Sequence, residues 1–549
     1  MNSRPLGRRR ALLGLLGITA VGLLARFFAL GFRVFHWDEG RVGYWVLRYM
    51  DSGVWEYHAI LHGPFLFHVN NLLFQLFGPS DFMARFVVAL IGGLLPLVAW
   101  LFREHLEDVE LVVLGAFLAL NPVVLYYSRF MRNDVLTATF GLLAFGLFVR
   151  LYDTGRRWYL FGGVGALTLA FATKEIVIVY LGVWLGAAIL LLDHRLFVAR
   201  FRDGTWRSVA VTYLKAVYRY LRHNWLVIAI ALLEALVLVV LFYAPRPDLY
   251  NALSHPARLP GVIDAATLGS WEKLESLWIS GGHKHSYVSF LTDALKTTAY
   301  TSLPLAAFAM VGFVVDRYAG REPRDLVAFA SYWGIAIYVI YPAITDISAP
   351  WSLVHSMVPL AIPAAVGIRL VVDQGLKAHR NSDTIGVGLA ALVILAVLAQ
   401  VGFTAIQTSY RNPQDDSNPL VQYGQPSGYM QATLADVETI AETNDGVDVR
   451  YYGDHFFVAN ESGADTYPAP SNWYNRLPLP WYMERFDVNV DSSTRIETIN
   501  GTAPVIIARA KHYSEIDKQV SGYRALTYQL TSSGTETVFF IKRSALPDQ

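Results

Sequence analysis

Three short groups of ionisable residues carry the chemistry available to this chain of 549 residues, only 16% of which are charged. They are His36-Trp37-Asp38-Glu39-Gly40, Arg129-Phe130-Met131-Arg132-Asn133-Asp134, and Lys174-Glu175. A carboxylate held partly away from water acts as a general base when it lies within hydrogen-bond reach of an acceptor hydroxyl. Arginine neutralises a phosphate through paired hydrogen bonds and lysine does so as a point charge. Together these residue types suit transfer of a group from a phosphate-linked donor onto a hydroxyl or a related nucleophile. Plainer uses exist for each: Asp38 and Glu39 as loop residues, Arg129 and Arg132 reaching for headgroups, Asp134 capping a helix, and Lys174-Glu175 as a hairpin tip. Each group nevertheless borders a long apolar stretch, where an ionisable side chain is costly and therefore functional by default.

Histidines add further candidates. His58 and His62 have the i,i+4 spacing of a metal pair, but Gly63-Pro64 ends any helix at once and no carboxylate lies between them. His283 and His285 are no stronger. No metal site or other cofactor is expected, although a divalent ion is compatible with the chemistry. His58, His62, Glu175 and His355 are retained as candidate substrate-binding residues.

The elements that must position these residues are membrane spans. Hydrophobic residues make up 54% of the chain, with a mean hydropathy of +0.35, well outside the texture of a soluble enzyme. The absence of cysteine removes disulfides, thiolate metal sites and thiol nucleophiles. A net charge of +1 excludes a generic nucleic-acid binder. Apolar stretches close to the ~20 residues that cross a bilayer recur at about 11–31, 82–102, 109–127, 135–151, 158–173, 176–192, 226–243, 297–315, 326–344, 351–371 and 384–406. The expected fold is therefore an all-α polytopic membrane protein of about eleven transmembrane helices.

With the N-terminus inside and the first span retained, the inside connections carry Arg4 and Arg8–Arg10, Arg103, Arg156 and Arg157, the basic run from Arg195 to Arg222, Arg317, Arg321 and Arg324, and Lys377 and Arg380. The short outside connections carry only Arg129, Arg132 and Lys174, as the positive-inside rule requires. The loop at 193–225 interleaves basic and aromatic residues, which suits a helix in the inner membrane interface. The three chemical groups then converge on the outer face, the first on a long loop at 32–81. A second long outside loop spans 244–296.

An odd number of spans places the tail, 407–549, outside as a small α/β domain on a membrane domain of 1–406. From 406 onward it holds 18 acidic and 11 basic residues. Helical periodicity marks Tyr429–Thr443, and β-branched and aromatic runs mark strands at Val447–Val458, Pro504–Ala508, Tyr523–Leu530 and Glu536–Ile541. Two sequons, at Asn460 and Asn500, agree with an outside location.

In this order the groups resemble the GT-C superfamily of membrane glycosyltransferases, in particular its protein mannosyltransferase-like and aminoarabinose transferase-like members. The matching pieces are Asp38-Glu39, the turn His62-Gly63-Pro64, Tyr127-Ser128-Arg129 with Arg132-Asn133-Asp134, and Thr173-Lys174, within about residues 10–195. More narrowly, His36-Trp37-Asp38-Glu39-Gly40, Pro350-Trp351-Ser352-Leu353-Val354-His355 and Pro478-Leu479-Pro480-Trp481-Tyr482 resemble the haloarchaeal flippase activity-associated membrane proteins of N-glycosylation. Arginine outnumbers lysine 36 to 9, in keeping with such an archaeal source.

The resemblance implies inverting transfer of a sugar from a polyprenyl- or dolichyl-phosphate carrier to a glycan, lipid or glycoprotein acceptor, on the extracytoplasmic face of the cell membrane. Membrane lipids are the other partner and nucleic acid is not one. Carried over, Asp38 is the general base with Glu39 beside it, Asp134 is a second required acid, and Arg129, Arg132 and Lys174 receive the carrier phosphate. Two departures stand out. Relatives often place lysine before paired prolines where His62-Gly63-Pro64 stands, and glycine where Glu175 follows Lys174, so an ion pair between Lys174 and Glu175 is expected. A non-catalytic accessory to translocation of lipid-linked sugars remains the alternative. A solute transporter fits poorly, because no internal duplication is visible.

Overall fold

The computed structural model describes all residues except 1–4, 61, 200–204, 281–284, 320–321, 346, 502, 532–533 and 547–549. Arg4, His283, Arg321 and the threonine of the second sequon lie outside the described residues. In chain order the first ten helices are α1 (Pro5–Phe27), α2 (Trp37–Ser52), α3 (Phe65–Phe77), α4 (Asp81–Leu94), α5 (Asp108–Leu120), α6 (Pro122–Tyr127), α7 (Asp134–Thr154), α8 (Trp158–Thr173), α9 (Val177–Ala199) and α10 (Trp206–Tyr243). The chain divides into two compact units. One comprises Met1–Phe28, Trp55–Leu66 and Val87–Arg411, the other Ala29–Val54, Phe67–Phe86 and Asn412–Gln549.

The chain is an integral membrane protein. Among the described residues, seven helices are long and apolar enough to span a bilayer: Gly7–Phe27, Asp81–Phe102, Asp134–Thr154, Arg207–Tyr243, Asp325–Ile344, Pro350–Arg380 and Thr384–Arg411. The pair Tyr287–Thr301 and Leu303–Ala319, bent by 99°, makes an eighth if taken as one span. By length and composition these cover the expected stretches 11–31, 82–102, 135–151, 226–243, 297–315, 326–344, 351–371 and 384–406, and Trp158–Thr173 and Val177–Asp193 are shorter apolar helices at two more. The expected stretch 109–127 is broken because Pro122 cannot continue α5, and Asn121 Oδ1 instead caps α6 by accepting from the Val123 and Val124 amides. Asn121 Nδ2 donates to Ser302 Oγ at 2.8 Å, at the bend of the eighth candidate. The two breaks therefore satisfy one another. α8 and the apolar part of α9 are short.

Pro350–Arg380 is the central helix, with 83% of its apolar window buried against 6% for Arg207–Tyr243. Its backbone meets Leu303–Val314 closely: a Cβ on Gly312 would lie 2.0 Å from the Pro363 carbonyl oxygen, and one on Gly367 would lie 2.2 Å from that of Phe308. Small residues at such crossings are how apolar helices gain contact where no hydrophobic drive separates them from lipid. The basic-aromatic loop proves to be helical from Trp206 and continues across a kink at Asn224 into the next apolar segment.

The second unit contains a five-stranded sheet in the order β2-β1-β3-β5-β4. β1 (Val449–Tyr452) pairs in parallel with β2 (Val490–Ser493) and β3 (Val505–Arg509). β5 (Glu536–Lys542) pairs antiparallel with β3 and with β4 (Tyr523–Gln529). Three expected strands sit nearly where the pattern put them. The first is much shorter, because Gly453 at φ +93° turns the chain out of the sheet. β2 was not expected, since Val490-Asp491-Ser492-Ser493 has no apolar pattern. A helix at Gln431–Ala441 falls within the stretch read as helical. The first-loop segments Ala29–Val54 and Phe67–Phe86 belong to this unit, so its boundary in the tail, at Asn412, encloses more chain than the tail alone.

Candidate functional site

In the membrane unit, the expected residues Arg132, Asp134, Lys174 and His355 come together. Asp134 opens α7, where the helix dipole favours its charge. Its Oδ1 accepts from Lys174 Nζ at 2.6 Å and from His355 Nε2 at 3.2 Å, and Oδ2 accepts from Arg132 Nε at 3.2 Å. Because a carboxylate can only accept, His355 carries its hydrogen on Nε2, and in the neutral ring Nδ1 accepts from Tyr180 OH at 2.5 Å. Two cations thus face one carboxylate. Trp351 lies beneath both of them, 3.7 Å from Lys174 Nζ and 5.3 Å from Arg132 Cζ to its ring centre.

The expected Lys174–Glu175 pair does not form. Lys174 has an extended backbone (φ −159°, ψ 124°) after α8, so consecutive side chains point to opposite sides. Lys174 turns to Asp134, while Glu175 Oε1 accepts from Tyr57 OH at 2.8 Å. Glu175 is fully buried, and that burial pushes its carboxyl above the ordinary value. The turn at His62-Gly63-Pro64 presses on the same place: Gly63 N donates to Thr173 O at 3.0 Å, and a Cβ on Gly63 would stand 2.2 Å from the Ala172 oxygen. Glycine is required there by close backbone approach. His58 and His62 lie on irregular chain before α3, so their i,i+4 spacing brings them to no helix face. Among the described residues no group of three or more His, Asp or Glu side chains is arranged to hold a metal ion.

Arg129 has a different setting. Its Nη1 donates to the carbonyls of Ala25, Arg26 and Phe28 at 3.0, 2.9 and 2.7 Å, and its guanidinium lies 4.6 Å from the Tyr410 ring centre. It closes the C-terminal end of α1, whose last carbonyls have no helical partner.

In the second unit, the two adjacent acids part company. Glu39 accepts two bonds from Arg85, at 2.8 and 2.9 Å, pairs with Arg33 at 3.0 Å, and accepts from the His36 amide at 2.9 Å. Its side chain is wholly buried. Burial alone would raise its pKa, but Arg33 and Arg85 outweigh it and hold the carboxyl down at about 2. Those contacts make Glu39 the lock that fixes the start of α2. Asp38, the second residue of α2, has its Oδ2 3.8 Å from His36 Nδ1. Gln425 completes the lock, accepting from Arg33 at 2.8 Å and donating to the Val34 carbonyl at 3.1 Å.

The motifs at 36–40 and 478–482, far apart in the chain, meet in this unit. A Cβ on Gly40 would lie 2.6 Å from Pro478 Cα, and Phe35 stacks on Trp481 with centroids 4.8 Å apart. Asp81 gathers the other end, accepting from Trp481 Nε1 and Tyr482 OH at 2.9 Å each and from Arg485 at 2.6 Å. Residues not singled out in the sequence include Arg33, Arg85, Tyr57 and Tyr180. Arg85 offered a signal, being a lone cation inside the apolar helix α4.

Comparison with known proteins accords with this geometry. Residues 61–203 match the model of the dolichyl-phosphate-mannose-protein mannosyltransferase family, and residues 430–542 match that of the Agl23 flippase-associated protein C-terminal domain. No curated protein matches the chain. Among solved structures, ArnT from Cupriavidus metallidurans bound to undecaprenyl phosphate is similar at a TM-score of 0.59 and 16% identity, over 97% of this chain and 99% of that one. The archaeal oligosaccharyltransferase AglB from Archaeoglobus fulgidus, in complex with an inhibitory peptide and a dolichol-phosphate, is similar at 0.53 and 12% identity, over 95% of this chain and 74% of that one. The fold is like that of ArnT. The match at 430–542 is to a domain of the Agl23 flippase-associated protein, the family whose motifs the sequence resembles.

Proposed function

We propose that this protein is an inverting glycosyltransferase that moves a sugar from a dolichyl- or polyprenyl-phosphate carrier to a glycan, lipid or protein acceptor on the extracytoplasmic face. Asp38 is the general base that takes the acceptor proton. Arg132 and Lys174 receive the carrier phosphate, with Asp134 and His355 holding them in place. Arg129 positions the loop that carries Arg132. No step requires a metal, because a carboxylate base and a stabilised phosphate leaving group suffice.

The observation that carries this reading is the division of labour between the two adjacent acids. Glu39 is held by arginines and anchors the start of α2, while Asp38, one residue earlier, has its Oδ2 3.8 Å from His36 Nδ1. The match of 61–203 to the mannosyltransferase family and the undecaprenyl phosphate on the similar ArnT fold support the donor class. The test is transfer of label from a radiolabelled dolichyl-phosphate sugar by the purified chain and by its Asp38→Asn variant. Full transfer by the variant removes the base assignment.

A second reading is favoured by one observation, the match of 430–542 to a flippase-associated domain. In that reading the chain assists translocation of lipid-linked sugars without catalysis. Translocation in reconstituted vesicles that needs the protein but survives Asp38→Asn, with no transfer under any condition, decides for it.

A further inference from the structure

The second unit holds a cavity of about 320 Å³ apart from the α2 lock, at the lower end of the size range of small-ligand sites. Its wall combines aromatic and apolar surface, from Tyr44, Trp473, Pro480 and Met483, with polar groups from Glu461, Asp465, Glu484 and Asn489. Tyr451 also lines it. That side chain is 1% exposed, yet its hydroxyl has no hydrogen-bond partner. A buried hydroxyl left without a partner is costly and uncommon, so a ligand group that accepts from it or donates to it is what the cavity calls for.

The charges narrow the ligand further. Glu461 is held by two bonds from Arg476, at 2.7 and 2.9 Å, and Glu484 by Arg48 at 2.7 Å, with Asp465 3.6 Å from the same arginine. A cationic ligand would have to compete with these arginines, and an anionic one would meet three carboxylates. A neutral hydroxyl can donate to a lone pair that the arginines leave over, without breaking any pair. Flat apolar faces beside carboxylates, an amide and a phenol match a pyranose ring, which has an apolar face and a rim of hydroxyls.

We propose that this cavity binds a neutral sugar residue of a glycan. The site is separate from the transfer chemistry proposed above and does not depend on it, since the test reads binding alone. Such a glycan could be carried on lipid or on protein, and the shared chemistry is its uncharged ring.

The test uses the full chain in detergent, with saturation-transfer NMR and competition by methyl hexosides, a methyl uronide and an amino-sugar glycoside. The expected result is binding of at least one neutral hexoside in preference to the charged probes. Tyr451→Phe should weaken it about three- to tenfold, the value of one hydrogen bond, with the melting temperature held or raised because an unsatisfied buried hydroxyl is removed. Asn489→Trp, at the exposed rim, should block binding by bulk and serves as the second variant. A glycan presented on a short prenyl phosphate and the same glycan on a peptide identify the source, and preference for either supports the site. Absence of binding by all neutral probes, preference for a charged probe, or binding that both variants leave intact overturns the proposal.

Discussion

Lys174 Nζ stands 2.6 Å from Asp134 Oδ1, forty residues apart in the chain and almost fully withdrawn from solvent. Removing one partner of such a buried pair costs about 3–5 kcal/mol, because the other charge is stranded. Lys174→Met and Asp134→Asn should each lower the melting temperature in detergent. The double variant should lose less than the sum, with a coupling of about 0.5–3 kcal/mol, and transfer activity should not return with stability. Additive losses would show that the two side chains do not depend on one another.

For Asp38→Asn the expected loss of transfer is on the order of a hundred- to ten-thousandfold, the usual contribution of a general base. The melting temperature should change little, since asparagine keeps the volume and shape of the side chain. Steady-state transfer rates and thermal unfolding on the same preparation check both halves of the statement.

Glu39 makes an acid-limb prediction. Its folded carboxyl sits at about 2 against an ordinary 4.5, so the unfolded chain binds the proton more tightly than the folded one. The stabilisation is complete above about 4.5 and is lost as pH falls towards 2. From the shift its size is about 3 kcal/mol. Glu39→Gln should be less stable than the parent at neutral pH, and the gap should narrow as the pH is lowered through that window. A gap that stays constant with pH would mean that the carboxylate charge is not what holds α2.

Gly63→Ala would drive a methyl group into the Ala172 carbonyl. Either the turn or the end of α8 must yield, at about 1–3 kcal/mol for overpacking. Because Lys174 follows that end directly, the KM for the lipid-phosphate donor should rise more than kcat falls. An unchanged KM would separate the turn from donor binding.

Much of this arrangement was legible in advance because two physical signals are strong in a membrane chain. Apolar length marked the helices, although Pro122 and Ser302 show how a break hides inside an apolar run. Rarity of charge marked Asp38, Arg132, Asp134 and Lys174. The roles of look-alike neighbours were not legible. Glu39 and Asp38 are both acids at the start of one helix, and the hold of Arg85 on Glu39, from 46 residues further on, is written nowhere near either of them. Lys174 and Glu175 are adjacent and opposite in charge, but the extended backbone between them sends each to a different partner. Tyr180, which orients His355, is one tyrosine among 30, and nothing in its neighbourhood advertises the contact.

The second unit is sewn from the two ends of the chain: the Phe35 amide donates to the Tyr482 hydroxyl across 447 positions. During synthesis the helix that carries Asp38 must therefore wait, its Phe35 and Gly40 surfaces uncovered, until nearly the whole polypeptide has emerged. Contacts of such long range are slow to form and leave their surfaces exposed to misassembly meanwhile. Quality control thus falls on Pro478–Tyr482, and a chain that stops short of Pro478 would carry every proposed phosphate-binding residue yet lack the packing partners of Phe35 and Gly40.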